Sequence, residues 1–244
     1  MVPVFSRLRL NRGILLVARD ERKWIVMSTK EKIIQAATTV FNEQGFLAAT
    51  LQDVANHLGI SRGNLQYHFK DKEALLSAIV DEMWAKMAVG RVKSRAHPTF
   101  ANLHNEVQLY YQVQKAYAFI FLDTHVLTHP VLRARFRAMT EQTIADNKAA
   151  LAFAIQTGNL KPEAHPGTYH NIAFITWMLT FYWLSQQIIR GEKTREDGEK
   201  LIWSMLLPHF TAKGVQAFKR FFGEDYFNSL GDPFEPEAQS LLMF

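Results

Sequence analysis

Thr50 and Ser61 each stand directly ahead of a short run with helical spacing, LQDVANHL and RGNLQYHF. A hydroxyl in that place accepts a hydrogen bond from a first-turn N–H and starts a helix. The positive end of the helix is then left free to face a phosphate. Gly59 lies between the runs, where a tight turn needs a left-handed backbone. Val54 and Leu58, with Ile60, Leu65 and Phe69, supply a small shared core, and Ala55 lets the helices cross closely. This is the arrangement of a helix-turn-helix, whose second helix enters a major groove.

Other chemistry has weaker support. His125 and His129 share a face if one helix carries both, with Asp123 near in sequence. No HExxH pattern accompanies them and Pro130 follows at once, so a solvated or core-edge pair is the expectation, with no metal site. The absence of cysteine excludes thiolate metal sites, thiol nucleophiles and disulfides, and is compatible with a reducing cytoplasm. The chain shows no Ser/His/Asp constellation, P-loop or GxGxxG, and Glu141 and Asp146 fall on a polar helix face. No catalytic residues and no cofactor are expected.

Helical periodicity runs through almost the whole chain, without a convincing alternating strand pattern, which predicts an all-α fold. The first helix follows Ser28 and stops at Gly45, and the two short helices come next. A longer one runs from Glu73 to about Val92, and Arg95 to Thr99 reads as a joint. Further helices are expected from Phe100 to about Thr128, broken at most once, and from Pro130 to about Thr157. Three more are expected over Thr168–Arg190, from Thr194 to about Leu207, and over Val215–Phe222. Thus a helix-turn-helix DNA-binding unit is expected over residues 28–76 and a larger helical bundle over 77–230, with an irregular tail over 231–244.

Composition limits the classes further. A hydrophobic share of 48% is ample for a core. Residues 1–27 hold four of the five net positive charges, so the total is a poor guide to nucleic-acid binding. That segment is expected to be a non-native or flexible extension ahead of a start at Met27; a basic arm reaching into DNA is the alternative. Its longest apolar run, Ile14 to Ala18, is too short for a secretory signal core. Ile172 to Leu184 is very apolar but shorter than a membrane span, so burial in protein, within one chain or against a second, is expected.

The stretch TLQDVANHLGISRGNLQYHFKDKEALL resembles the TetR family of transcriptional regulators. Asp53, Gly63 and Leu75 are among its matching residues, and Ala36, Phe41, Gly45 and Phe46 extend the likeness, which covers about residues 28–80. The run FIFLDTHVLTHPVLRARF is similar to one subgroup of bacterial TetR-type repressors. The resemblance implies that Thr50, Tyr67, His68 and Lys72 contact backbone phosphates and that Gly63 permits close approach to the groove. It places Arg62, Asn64 and Gln66 on the recognition helix, where Arg suits guanine and Asn and Gln suit adenine.

The expected function is a sequence-specific DNA-binding transcriptional regulator, a repressor released by an unidentified small-molecule effector. The alternatives are an effector-binding protein that acts as an activator or through a partner, and an enzyme built on the C-terminal helices. The partners implied are a double-stranded operator and a second copy of the chain, in the cytoplasm, with no membrane. The aromatic-rich C-terminal half could enclose a pocket, or those rings could be ordinary core. Phe119, Asp123, Trp177 and Phe181 are the pocket candidates, chosen for chemistry and mid-domain position.

Overall fold

Side-chain caps decide where the first helices begin. In the computed structural model, which describes residues 16–18, 24–190 and 198–232, Ser28 and Glu31 form a reciprocal capping box that opens α1, Thr29–Gln44. Thr50 and Asp53 do the same for α2, Leu51–Leu58. Ser61 Oγ accepts from the Asn64 N–H at 3.1 Å and starts α3, Arg62–His68. Asp71 accepts from the Ala74 N–H at 2.7 Å and starts α4, Lys72–Ala96. Between α2 and α3, Gly59 adopts φ 68° and ψ 32°, the left-handed conformation that the tight turn requires.

The larger half continues with α5, Phe100–Ala116, and α6, Ala118–Leu122. Next come α7, Thr124–Leu127, and α8, Pro130–Gln156. The apolar stretch after Phe100 is therefore broken twice, at Tyr117 and at Asp123, where at most one break was expected. Asp123 makes the second break by accepting from the His125 N–H at 2.8 Å. Then follow α9, Thr168–Arg190, and α10, Glu199–Leu206, with a single 3-10 turn over Leu207–His209. The expected α10 start at Thr194 lies outside the described residues. Two helices close the bundle: α11, Ala212–Phe222, and α12, Glu224–Ser229, the latter not anticipated from the sequence. Two short strands, β1 at Leu16–Ala18 and β2 at Trp24–Val26, pair antiparallel ahead of the helices, where no strand was expected.

Buried apolar residues gather in two clusters. One runs from Ile33 and Phe41 through Leu65 and Met83 to Phe119, Phe136 and Phe181, so residues on both sides of position 76 share it. The other surrounds Trp203, Phe210 and Phe218. Helix α4 joins the two ends of the molecule: 25 residues make a rod about 37 Å long. Polar ties hold it to α8, with Arg135 bonded to Ser77 and Asp81, and Arg95 Nε 2.7 Å from Asp146. Asn42 on α1 bonds the Ala116 carbonyl at 2.9 Å and the Phe119 N–H at 3.0 Å, which fixes α1 against the α5–α6 corner.

Helix α9 is long and apolar enough to cross a membrane by length and composition alone. Its Tyr169, Ile172, Ala173, Phe181 and Trp183 are buried within the chain. Phe174, Ile175, Met178 and Tyr182 are exposed on another side. Burial within one chain thus covers only part of the helix.

Candidate nucleic-acid interface and effector cavity

The α2–α3 unit presents one face to solvent and buries the other. Leu65 is fully buried and Phe69 nearly so, which pins α3 against Val54 and Ala55. Arg62, Gly63, Asn64 and Gln66 are exposed, and Tyr67 is 87% exposed. Such exposure of a tyrosine leaves its ring unburied and its hydroxyl in water, an arrangement suited to an external partner. His68 is half-buried and sits edge-on to Tyr67 at 5.3 Å. The six expected DNA-contacting residues of α3 are therefore brought to one short helix, outward of its core side chains. A Cβ on Gly63 would meet nothing within 4 Å, so the bare backbone there is not required by packing in the free protein.

Thr50 and Lys72 are exposed or half-exposed close by, but both are already engaged. The Thr50 hydroxyl donates to Asp53 Oδ2 at 2.6 Å, and its N–H reaches the same oxygen at 2.8 Å. These bonds hold the Asp53 carboxyl below its usual pKa. Lys72 Nζ donates to the Ala49 carbonyl at 2.6 Å and to the Leu47 carbonyl at 3.3 Å, and lies 4.4 Å from the Phe46 ring centre. Partial burial lowers its pKa. Lys72 thus clamps the start of α4 to the loop before α2, a structural task the sequence did not reveal.

The C-terminal half encloses a cavity of about 360 Å³, within the usual range of small-molecule sites. Phe100, Leu103, Tyr110, Leu151, Trp203 and Phe210 form its apolar walls. Arg91, Glu106, Thr143 and Asn147 bring polar groups to it from α4, α5 and α8. Burial pushes the Tyr110 hydroxyl up, so it stays a neutral phenol. At another edge Glu199, 1% exposed, lies 2.7 Å from His104 Nδ1 and accepts from Gln108 at 3.0 Å and from Trp203 Nε1 at 2.9 Å.

None of the four pocket candidates from the sequence lines this cavity. Phe119 is packed against Phe41 at 5.4 Å, and Phe181 against Phe121 at 5.5 Å, in the first core cluster. Trp177 lies 5.7 Å from Phe181 and only partly buried, and Asp123 caps α7. Mid-domain position put them in the core because the cavity lies further along, between α4, α5, α8, α9 and α10. One signal could have found Arg91: it continues the inward row of Val80, Met83 and Met87 on α4 at helical spacing. A charge on that row is unusual for plain core. His125 and His129 fall on different elements, α7 and the N-terminus of α8, and so do not share a helical face. Among the described residues no group of three His, Asp or Glu side chains is gathered that could hold a metal ion.

Two family models match the chain: bacterial regulatory proteins of the tetR family over residues 33–79, and bacterial transcriptional repressor over 87–218. Among curated proteins, the uncharacterized HTH-type transcriptional regulator YerO of Bacillus subtilis is 40% identical over 65 residues, 27% of this chain and 22% of the relative. The HTH-type transcriptional regulator QacR of Staphylococcus aureus is 33% identical over 101 residues, 37% of this chain and 52% of the relative. These matches thus span between about a fifth and about half of those relatives' length. A TetR-family regulator from Marinobacter aquaeolei VT8 has the same fold, with a TM-score of 0.69 at 20% identity over 82% of this chain and 99% of that one. SmeT, solved in complex with triclosan, aligns with a TM-score of 0.60 at 20% identity, over 75% of this chain and 92% of its own. SmeT is the repressor of a Stenotrophomonas maltophilia multidrug efflux pump. The second model alone matches more than half of the sequence, on the helices that wall the cavity, and the first falls on the helix-turn-helix: the chain belongs to the TetR family of bacterial transcriptional regulators.

Proposed function

We propose that this protein is a sequence-specific DNA-binding repressor, and not an enzyme, that acts as a homodimer in the cytoplasm and is released from its operator by a small molecule. The observation that carries the reading is α3: Arg62, Asn64, Gln66 and Tyr67 all stand in solvent on a helix anchored by a fully buried Leu65. That helix enters the major groove, where Arg62, Asn64 and Gln66 read base edges. Thr50, Tyr67, His68 and Lys72 contact phosphates, with Thr50 and Lys72 exchanging part of their present internal bonds for DNA oxygens. The exposed apolar side of α9, at Phe174, Ile175, Met178 and Tyr182, meets its equivalent in a second copy. Two recognition helices then read two half-sites related by the same two-fold axis.

The cavity takes the effector, a largely apolar small molecule, as its aromatic walls favour. Arg91 on α4 faces the cavity while Lys72, at the other end of that helix, holds the loop before α2. A ligand that shifts α4 thereby alters the spacing of the two recognition helices. Binding to the DNA upstream of the protein's own gene, followed as a function of salt, tests the reading. Sequence-specific affinity that falls steeply with salt is expected. Arg62→Ala or Gln66→Ala should relax base preference at single operator positions by about 1–3 kcal/mol. Operator affinity untouched by both substitutions would remove α3 from the interface.

A further inference from the structure

Arg91 is the one lysine or arginine among the described residues that line the cavity, and its side chain is only 12% exposed. Nη2 donates to Thr143 Oγ1 at 2.6 Å. Its Nε stands 3.8 Å from Glu106 Oε1, an ion pair too long for a hydrogen bond. A guanidinium carries five N–H donors. Among the described residues most of those on Arg91 therefore have no hydrogen-bond acceptor, on a group that borders an apolar space.

The charge around Arg91 is already balanced. Glu106 faces it, and the next pair along α4, Arg95 with Asp146, is closed on itself. Glu106 also accepts the hydroxyl of Ser94. An anionic head group beside Arg91 would meet the Glu106 carboxylate, and a cationic one would meet the guanidinium. In a space walled by Phe100, Trp203 and Phe210, water screens neither repulsion well. An uncharged oxygen acceptor incurs neither and satisfies the free N–H groups.

Building on the assignment of this cavity as the effector site, we propose that its ligand is an uncharged amphipathic molecule whose carbonyl-type oxygen is held by Arg91, with its apolar body against Phe100, Trp203 and Phe210. Arg91 is thus the residue that selects the ligand's head group, and it does so from the helix that reaches the DNA-binding unit.

Calorimetric titration of the full-length protein with matched probes built on a ten-carbon chain tests this. The probes are 2-decanone, decanoate, decylammonium and 2-methyl-1-decene, the last replacing the carbonyl oxygen by a methylene group. The ketone should bind at least tenfold more tightly than either ion. Arg91→Met should bring the ketone down to the affinity of the alkene and leave the alkene unchanged. If that variant does not fold, the wild-type ranking decides by itself, and Thr143→Val, which frees the guanidinium and keeps its charge, should tighten the ketone severalfold. Decanoate or decylammonium binding as well as the ketone overturns the uncharged head group. A ketone preference that persists in Arg91→Met overturns the role of Arg91. In both of those cases the cavity stands as a ligand site. Failure of all four probes to bind the wild-type protein counts against the cavity itself.

Discussion

The two ends of the molecule solve packing in opposite ways. At the recognition end the core is filled: Val54, Ala55 and Leu65 are fully buried, Phe41, Phe46 and Phe69 close around them, and helices α2 and α3 are short and capped. At the effector end the packing is aromatic. Phe100, Trp203, Phe210, Phe218 and Phe222 meet one another at ring-centre distances from 4.5 to 6.2 Å. Rings are large and stiff, and they prefer edge-to-face or offset contact. Several of them can wall a space without filling it, and beside them about 360 Å³ remains open. A solid end presents a fixed surface, and a hollow end can respond to a ligand.

That contrast is broken most directly at glycines. Gly214 on α11 is buried, and a Cβ there would stand 2.0 Å from the Asn159 carbonyl oxygen. That carbonyl is itself held by the Thr211 N–H at 3.0 Å, so it cannot simply retreat. Gly214→Ala should cost about 3 kcal/mol in urea unfolding. The loss comes from the wall of the hollow end. Stability equal to wild type would show that the α8–α9 loop yields, and that the effector end is softer than its contacts imply.

Gly63 sharpens the same comparison from the other end. A methyl there meets open space, and alanine is the better helix former by about 1 kcal/mol. Gly63→Ala should therefore leave stability unchanged or slightly raised. Operator affinity should nevertheless fall about tenfold, because the added carbon projects where the groove must approach. A variant that is more stable and binds DNA as well as wild type would take Gly63 out of the interface.

Legibility in the sequence follows the same division. Thr50, Ser61 and Gly59 mark the ends of α2 and α3 through bonds that reach three or four residues, so the motif was readable before any packing was known. The break at Asp123 is equally local, yet it went unread because Asp is common in helices as well as at their starts. The cavity depends on which faces of α4, α5, α8, α9 and α10 meet, and no local signal encodes that. Hence Phe119 and Phe181, suitable by chemistry, proved to be packed core. Lys72 shows a finer limit: its place at a helix start was readable, but its bonds to the Leu47 and Ala49 carbonyls were not.

The smallest expected effect lies in the Thr50–Asp53 capping box. Asp53 accepts the Thr50 hydroxyl at 2.6 Å and the Thr50 N–H at 2.8 Å, and these bonds hold its pKa below the ordinary 3.8. The folded protein thus binds this proton less readily than the unfolded chain. The stabilisation is fully present above pH 3.8 and is lost as pH falls through the lowered folded value. Asp53→Asn should lower the melting temperature slightly at neutral pH, and the gap to wild type should close toward pH 2. An NMR titration of the Asp53 carboxyl should give a midpoint below 3.8. A midpoint at or above that value would mean that the box does not persist in solution. The N-terminus of α2 would then be open to a phosphate without first releasing Asp53, and the recognition end would be less preorganised than its caps indicate.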